Sequence, residues 1–291
     1  MHPQTFAIIG GDMRQIQLSA LLGADGHRVS IFAIEQTGPK ASRPAPSLEA
    51  AVTGADCVVL PLPLSKDGTV LNTPLSDLSL TTEQVFAALS PEQILCGGLI
   101  PPKIHAQAKA RNLHLLDYYT REELIIAGAV ATAEGALQIA MAETPATLLK
   151  SRCLVIGFGR IGKLLAHRLA ALGAQVRVSA RSWADLAWID AWGYEKIHTN
   201  ALESVLPACD LIFNTVPHLV LGPEQLRLLD KKALCIDLSS SPGGIDFGAA
   251  SNLGLKTIWA RGLPGKAAPL STAAALRDTI YNMLGEQEKT L

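Results

Sequence analysis

Ten residues constrain this chain more than any others: Cys153-Leu-Val-Ile-Gly157-Phe158-Gly159-Arg160-Ile161-Gly162, an apolar run leading into G-x-G-x-x-G. An apolar-periodic segment, Ile161 to Leu172, follows at once. The combination predicts a buried strand ending at Gly157, a tight turn, and a helix whose N-terminus points back into the turn. Gly157 permits the turn, Gly159 lets backbone approach a pyrophosphate, and Gly162 lets the helix pack close to the strand. Free N–H groups and the helix dipole at that point favour phosphate charge. The competing reading is a glycine-rich strand-to-helix loop that holds no ligand.

The end of the next strand discriminates between dinucleotides. That strand is expected at Gln175–Ala180, and an NAD-preferring site places an Asp or Glu at its end for the ribose hydroxyls. Here the residues are Ser179-Ala180-Arg181-Ser182, with no carboxylate. Arginine offers a planar, permanently charged fork suited to a 2′-phosphate, and the two serine hydroxyls add donors. NADP(H) is therefore the predicted cofactor, against a solvated arginine at a strand end as the bland alternative.

With 291 residues the chain has room for roughly two domains of ordinary size. It is 48% hydrophobic and 18% charged, with a net charge of −1, which excludes a disordered chain. The same balance gives no electrostatic case for nucleic acid or a membrane surface. No uninterrupted apolar run approaches the ~20 residues of a membrane helix, and no basic segment followed by a hydrophobic stretch opens the sequence. The expectation is a soluble cytoplasmic protein. Cys57, Cys96, Cys153, Cys209 and Cys235 are scattered singly, four of them in or beside strand-like runs. They read as small core hydrophobes in a reducing compartment, with neither a zinc site nor a disulfide framework suggested.

Strand-like and helical runs alternate along the chain. The predicted fold class is α/β, with two doubly wound Rossmann-like domains joined by a long connector helix. Strands are expected at Thr5–Gly10, Arg28–Ile34, Asp56–Leu60, Gln93–Gly97 and Leu113–Asp117, with helices near 12–24, 81–89 and 101–111. Thr37–Ser47, with three prolines, reads as a loop, and Leu62–Leu80 as a turn-rich segment. The connector helix is placed from Thr132, as N-cap, to about Leu149. Further strands are placed at Asp210–Thr215, Ala233–Leu238 and Lys256–Ala260, and a last helix at Ser271–Leu284. Residues 1–130 form the expected N-terminal substrate-side domain, completed by the helix within 271–291, and residues 131–270 the NADP-binding domain with the connector. Ligands bind outside the carboxyl ends of strands, so Asn214-Thr215-Val216-Pro217, Leu238-Ser239-Ser240 with its glycines, and Arg261-Gly262-Leu-Pro264-Gly265 should line the site.

These loops, with others upstream, carry a resemblance. The matching pieces are Gly10-Gly-Asp12-Met-Arg14-Gln15, Arg121-Glu-Glu123, Thr132-Ala-Glu134-Gly135 and the glycine motif. Ala180-Arg181-Ser182, Asn214 to Pro217, Asp237-Leu238, Pro242 to Phe247, Gly262 to Gly265 and Ala268-Pro269 complete the set. Together they resemble the A subunit of dipicolinate synthase of spore-forming bacteria, over essentially the whole chain. The resemblance implies a two-domain NADP-dependent oxidoreductase that works with a flavoprotein-like B subunit, in the mother cell during sporulation. Its implied substrate is a small cyclic dicarboxylate of the dihydrodipicolinate type, from the lysine and diaminopimelate branch, oxidised to pyridine-2,6-dicarboxylate. A homo-oligomer is expected.

A dicarboxylate needs cations. Arg14 and Arg121 belong to matched motifs, and each offers a bidentate partner for a carboxylate. An exposed helix-face arginine competes for Arg14, and a salt bridge to the neighbouring glutamates competes for Arg121. Asp12 is a substrate-side candidate or simply a helix cap. Thr132 and Glu134 are candidates because a helix N-terminus facing the cleft suits an anion. Ser239 and Ser240 supply donors beside the expected nicotinamide position. No general base is identifiable; Arg14, Arg121, Glu134 and Ser240 are the catalytic candidates, and His218 reads as a loop histidine. Two other functions stay open: a different NADP-dependent dehydrogenase of the hydroxy-acid or methylene-folate type, and a non-catalytic NADP(H)-sensing subunit.

Overall fold

The computed structural model describes residues 4–35 and 43–288. The chain forms two compact units: the first runs to Gly128 and resumes at Ala268, and the second spans Ala129–Ala267.

Unit 1 contains β1 (Thr5–Ile9), β2 (Arg28–Phe32), β3 (Arg43–Pro44), β4 (Cys57–Val59), β5 (Ile94–Gly97) and β6 (His114–Asp117), with α1 (Met13–Ala24), α2 (Leu48–Val52), α3 (Thr82–Ala87) and α4 (Pro102–Ala110) between them. Its parallel sheet has the order β3-β2-β1-β4-β5-β6, the doubly wound arrangement whose direction reverses between β1 and β4. Helix α5 (Glu122–Glu143) then carries the chain from one unit into the other.

Unit 2 repeats the plan with β7 (Arg152–Ile156), α6 (Arg160–Ala171), β8 (Gln175–Ala180), α7 (Trp183–Ala191), β9 (Glu195–His198), β10 (Leu211–Asn214), α8 (Pro223–Arg227), β11 (Leu234–Asp237), α9 (Phe247–Asn252), β12 (Lys256–Trp259) and α10 (Leu263–Ala267). Its order is β12-β11-β10-β7-β8-β9, the same topology, with the reversal between β7 and β10. The chain returns to unit 1 through α11 (Pro269–Glu288).

Period-two alternation explains why such sheets read as continuous apolar runs. In β1, Phe6 and Ile8 enter one core while Ala7 and Ile9 enter the core on the opposite face. In β7, Cys153 and Val155 face one way and Leu154 and Ile156 the other. All eight are fully buried, and each large aliphatic or aromatic one contributes about 1.5–3 kcal/mol on burial. Helix α11 closes the α1 face of unit 1 with Ala273, Leu276, Ile280, Met283 and Leu284. Tyr281 and Arg277 both reach the Asp25 carboxylate, at 2.9 and 3.3 Å.

Four expectations need correction. The connector helix begins ten residues before Thr132 and ends at Glu143, so Thr132 is a buried mid-helix residue and not an N-cap. Helix α5 has its acidic first turn at Glu122 and Glu123 instead. The edge strands β3 and β9 form where no strand is expected, and the segment after β12 coils into α10 rather than remaining a loop. Of the proline-rich segment 37–47, positions 37–42 lie outside the described residues.

Helix α5 is apolar for internal reasons. It has the length and mean hydropathy, 1.6, of a membrane-crossing helix, yet half of that stretch is buried within this protein. Ala133, Ala136 and Ala140 are fully buried, and a methyl on Gly135 would stand 3.1 Å from Ala267 Cβ. Small residues let α5 and α10 approach closely.

Candidate functional site

The turn between β7 and α6 forms as the glycines require. The Gly157 N–H donates to Ser179 O at 2.9 Å with φ at +99°, and a Cβ there would lie 2.4 Å from Thr215 Oγ1. A Cβ on Gly162 would lie 2.1 Å from Gly157 O, so this residue sets the closeness of helix to strand. Gly159 differs from both. It is the N-cap of α6, no side chain caps it, and a Cβ would meet nothing within 4 Å. Two glycines are required by packing, and the third leaves open space at a helix N-terminus. That is the arrangement a pyrophosphate fits.

The space belongs to a cleft of about 1150 Å³ within unit 2. Gly157, Phe158 and Gly159 form one wall, and Thr215, Val216, Pro217, His218, Leu219 and Val220 another; Ala180, Arg181, Ser182, Asp185 and Thr199 complete it. The Thr215 hydroxyl donates to Ile156 O at 2.9 Å, fixing the loop to β7. Lys163 stands 5.2 Å above the Phe158 ring. Arg160 opens α6, and Ile161 packs partly buried against the core.

The three residues at the end of β8 separate on inspection. The Arg181 side chain is exposed, and no carboxylate pairs with it among the described residues. Ser182 caps α7: its oxygen accepts from Asp185 N at 3.0 Å and its hydroxyl donates to Asp185 Oδ2 at 2.7 Å. Ser179 is fully buried, off the cleft wall, and its hydroxyl has no partner among the described residues. The expectation of two donor hydroxyls is corrected; of these three residues Arg181 alone presents to the cleft donors without a partner among the described residues.

The loop after β11 also turns inward. Asp237, fully buried, accepts from Asn214 Nδ2 (2.9 Å), Ser239 N (2.9 Å) and Ser239 Oγ (2.7 Å) on one oxygen, and from Gly244 N (2.7 Å) on the other. Asn214 also grips the Val216 backbone through both its amide atoms, at 2.9 and 3.1 Å. Ser239 is thus committed to Asp237, contrary to its expected donor role. Leu238 is buried, Ser240 and Gly262 are exposed, and Pro264 lies in α10; none of these lines the cleft.

In unit 1 the substrate-side candidates are tied to one another. Asp12 is the N-cap of α1, with Gln15 completing a capping box. Arg14 donates to both Asp12 oxygens at 2.9 Å and to Leu62 O. Its side chain is only 11% exposed, so it is not an open helix-face arginine. Arg121 pairs with both oxygens of Glu286, at 2.7 and 2.9 Å, and with Glu123 at 2.9 Å, and these partners hold its guanidinium well above its ordinary value. Glu134, in mid-helix, pairs with Arg168 at 3.2 Å, so neither it nor Thr132 sits at a helix N-terminus. The five cysteines are free and buried; burial pushes Cys153 up to about 11 and Cys235 up to about 12.

Of the cleft wall, Asp185 and Thr199 have no sequence signal, because one needs the α7 cap and the other follows the unexpected strand β9. His218, expected as a loop histidine, lies in the loop after β10 and on the cleft wall.

An uncapped glycine turn, a parallel sheet reversing beside it and a cleft at the strand ends define a dinucleotide-binding unit of Rossmann type. Residues 110–239 match the family model of the D-isomer specific 2-hydroxyacid dehydrogenase NAD binding domain, which makes the unit one of dehydrogenase type. Residues 5–119 match that of the N-terminal domain of the dipicolinate synthase A subunit. The dipicolinate synthase A subunit of Bacillus subtilis (strain 168) is 31% identical over 96% of this chain and 95% of its own length. The chain belongs to the family of dipicolinate synthase A subunits. Among solved structures, the A subunit of dipicolinate synthase from Bacillus halodurans superposes with a TM-score of 0.86 at 30% identity, covering 97% of each chain. The Bacillus subtilis counterpart gives 0.86 at 28%, covering 100% of this chain and 99% of that one. A transhydrogenase from Sinorhizobium meliloti, 14% identical with a TM-score of 0.70, covering 97% and 93%, shares the fold alone.

Proposed function

We propose that this chain is the NADP(H)-dependent subunit of a dipicolinate synthase, oxidising a cyclic dihydrodipicolinate-type dicarboxylate to pyridine-2,6-dicarboxylate together with a B subunit. The observation that carries the cofactor choice is Arg181, exposed at the end of β8 with no acidic partner among the described residues and no carboxylate at the strand terminus. The N-terminus of α6 at Gly159 and Arg160 would hold the pyrophosphate, and Arg181 the 2′-phosphate, with Ser182 occupied as the cap of α7. Bound there, a nicotinamide supplies a hydride acceptor, and loss of hydride and a proton turns a dihydropyridine into an aromatic ring. Thr215, Val216 and Pro217, fixed through Asn214 and Asp237, would set the cofactor's second wall.

For the substrate, Arg14 is favoured over Arg121. Its Nε and Nη2 are committed and Nη1 has no partner among the described residues, whereas Arg121 must leave Glu286 and Glu123 to bind a carboxylate. The relatives are named for the A component of a synthase, which supports pairing with a B subunit. A cytoplasmic location in the sporulating mother cell and a homo-oligomeric assembly complete the proposal.

One observation favours NAD(H) as a second reading: Asp185, a carboxylate, is on the cleft wall in the first turn of α7, just beyond β8. The test is a coupled reaction with dihydrodipicolinate synthase, its substrates and either NADP⁺ or NAD⁺, followed by pyridine-dicarboxylate absorbance with and without the B subunit. Product with NADP⁺ is expected, and Arg181→Ala should raise its KM about tenfold while leaving NAD⁺ unaffected. Equal use of both cofactors by the parent chain would overturn the NADP assignment.

A further inference from the structure

Trp183 is the first residue of α7, and 79% of it is exposed, more than any other large apolar side chain described. Exposing an indole to water is unfavourable, so the position calls for an explanation. Its neighbours supply one. Arg181 and Ser182, the residues just before it, form the cleft wall at the end of β8. Across from it, His198 ends β9, and the next residue, Thr199, is on the same wall. The Trp183 and His198 rings touch with centroids 5.6 Å apart and planes tilted by 34°. The imidazole is held in place by accepting from Asn200 N through Nδ1, at 3.2 Å. Trp183 therefore has a fixed aromatic neighbour and a largely open ring at the rim of the cleft, two residues from Arg181 in the chain.

We infer that Trp183, backed by His198, is the stacking surface for the adenine ring of the dinucleotide. The inference rests on the NADP(H) reading of this cleft. If the pyrophosphate lies at Gly159 and the 2′-phosphate at Arg181, the adenosine half must extend along the carboxyl ends of β8 and β9, away from β7. Beyond the cleft residues Arg181 and Ser182, Trp183 is the aromatic side chain that follows β8, and Thr199 on the cleft wall follows β9. An aromatic face binds any purine through stacking and burial, independent of the 2′-phosphate, so Trp183 contributes affinity and Arg181 contributes discrimination.

Isothermal calorimetry with adenosine fragments separates these roles without catalysis. Trp183→Ala should weaken adenosine 2′,5′-bisphosphate and 5′-AMP alike, by about tenfold, while Trp183→Phe stays within about threefold of the parent. Arg181→Ala should weaken the bisphosphate and leave 5′-AMP unchanged. Phosphate-only binding, measured with inorganic pyrophosphate, should be the same in all variants. Unchanged 5′-AMP affinity in Trp183→Ala would overturn the stacking assignment. If instead the parent binds 5′-AMP as tightly as the bisphosphate, the NADP reading fails while Trp183 is still tested by 5′-AMP.

Discussion

At the turn after the first strand, the two units treat the same helix terminus in opposite ways. In unit 2, Gly159 caps α6 without a side chain and faces open space. In unit 1, a methyl on Gly10 would strike Thr73 at 2.7 Å and one on Gly11 would strike Gln15 at 2.5 Å, and Asp12 places its carboxylate on the start of α1. Arg14 then neutralises Asp12. Unit 1 carries its own anion where unit 2 is open to one. Strand order and reversal point are shared, so the fold does not decide which unit takes a dinucleotide; a few side chains at one turn do.

The sharpest way to break this comparison is to close the open turn. Gly162→Ala puts a methyl 2.1 Å from Gly157 O and should cost about 3 kcal/mol in urea unfolding as well as NADPH binding. Gly159→Ala has room, so stability should stay within about 0.5 kcal/mol while NADPH affinity falls about tenfold by fluorescence titration. A Gly159→Ala variant that binds as the parent does would mean that no phosphate approaches there.

A smaller effect distinguishes the first strands themselves. The second residue is Phe6 in β1 and Cys153 in β7. Burial raises the Cys153 thiol to about 11, so the folded state holds its proton while the unfolded state releases it above about pH 8.5. Stability from this group is complete below that pH and falls as pH rises toward 11. Cys153→Val should flatten urea-derived stability across that window by up to roughly 2 kcal/mol, leaving the slopes from the other raised thiols, Cys57, Cys209 and Cys235. An unchanged pH profile would show that the thiol is not sealed as the packing indicates.

The smallest effect opens the closed turn. Asp12→Ala removes the cap of α1 and should cost about 1 kcal/mol, with Asp12→Asn retaining most of it. Phosphate should then raise the melting temperature of Asp12→Ala more than that of the parent; an equal response would show that the carboxylate does not hold the anion's place.

What is legible in the sequence follows from burial. Strands sealed on both faces, such as Phe6 to Ile9 and Cys153 to Ile156, announce themselves as apolar runs. Edge strands do not: β9 buries only Ile197 of Glu195-Lys-Ile-His198, and β3 has two exposed residues. The glycine turn is legible because backbone geometry demands particular residues. Thr132-Ala-Glu134 misleads because a capping signature and a buried helical face use the same small and polar residues, and only packing against α10 separates them. Arg14 and Arg121 stand out as charges, but their partners do not. Glu286 lies 165 residues from Arg121, and whether Arg14 curls back onto Asp12 depends on a rotamer.

The route of the chain has a consequence for its synthesis. Helix α11 supplies Ala273, Leu276, Ile280, Met283 and Leu284 to the core begun by Phe6 and Ile8, yet it follows all of unit 2 in the sequence. On a translating ribosome, where domains ordinarily fold in the order they emerge, unit 2 can complete its own core while unit 1 still shows a bare α1 face. The half translated first is finished last, and until then its exposed apolar stripe is the stretch that a chaperone would hold.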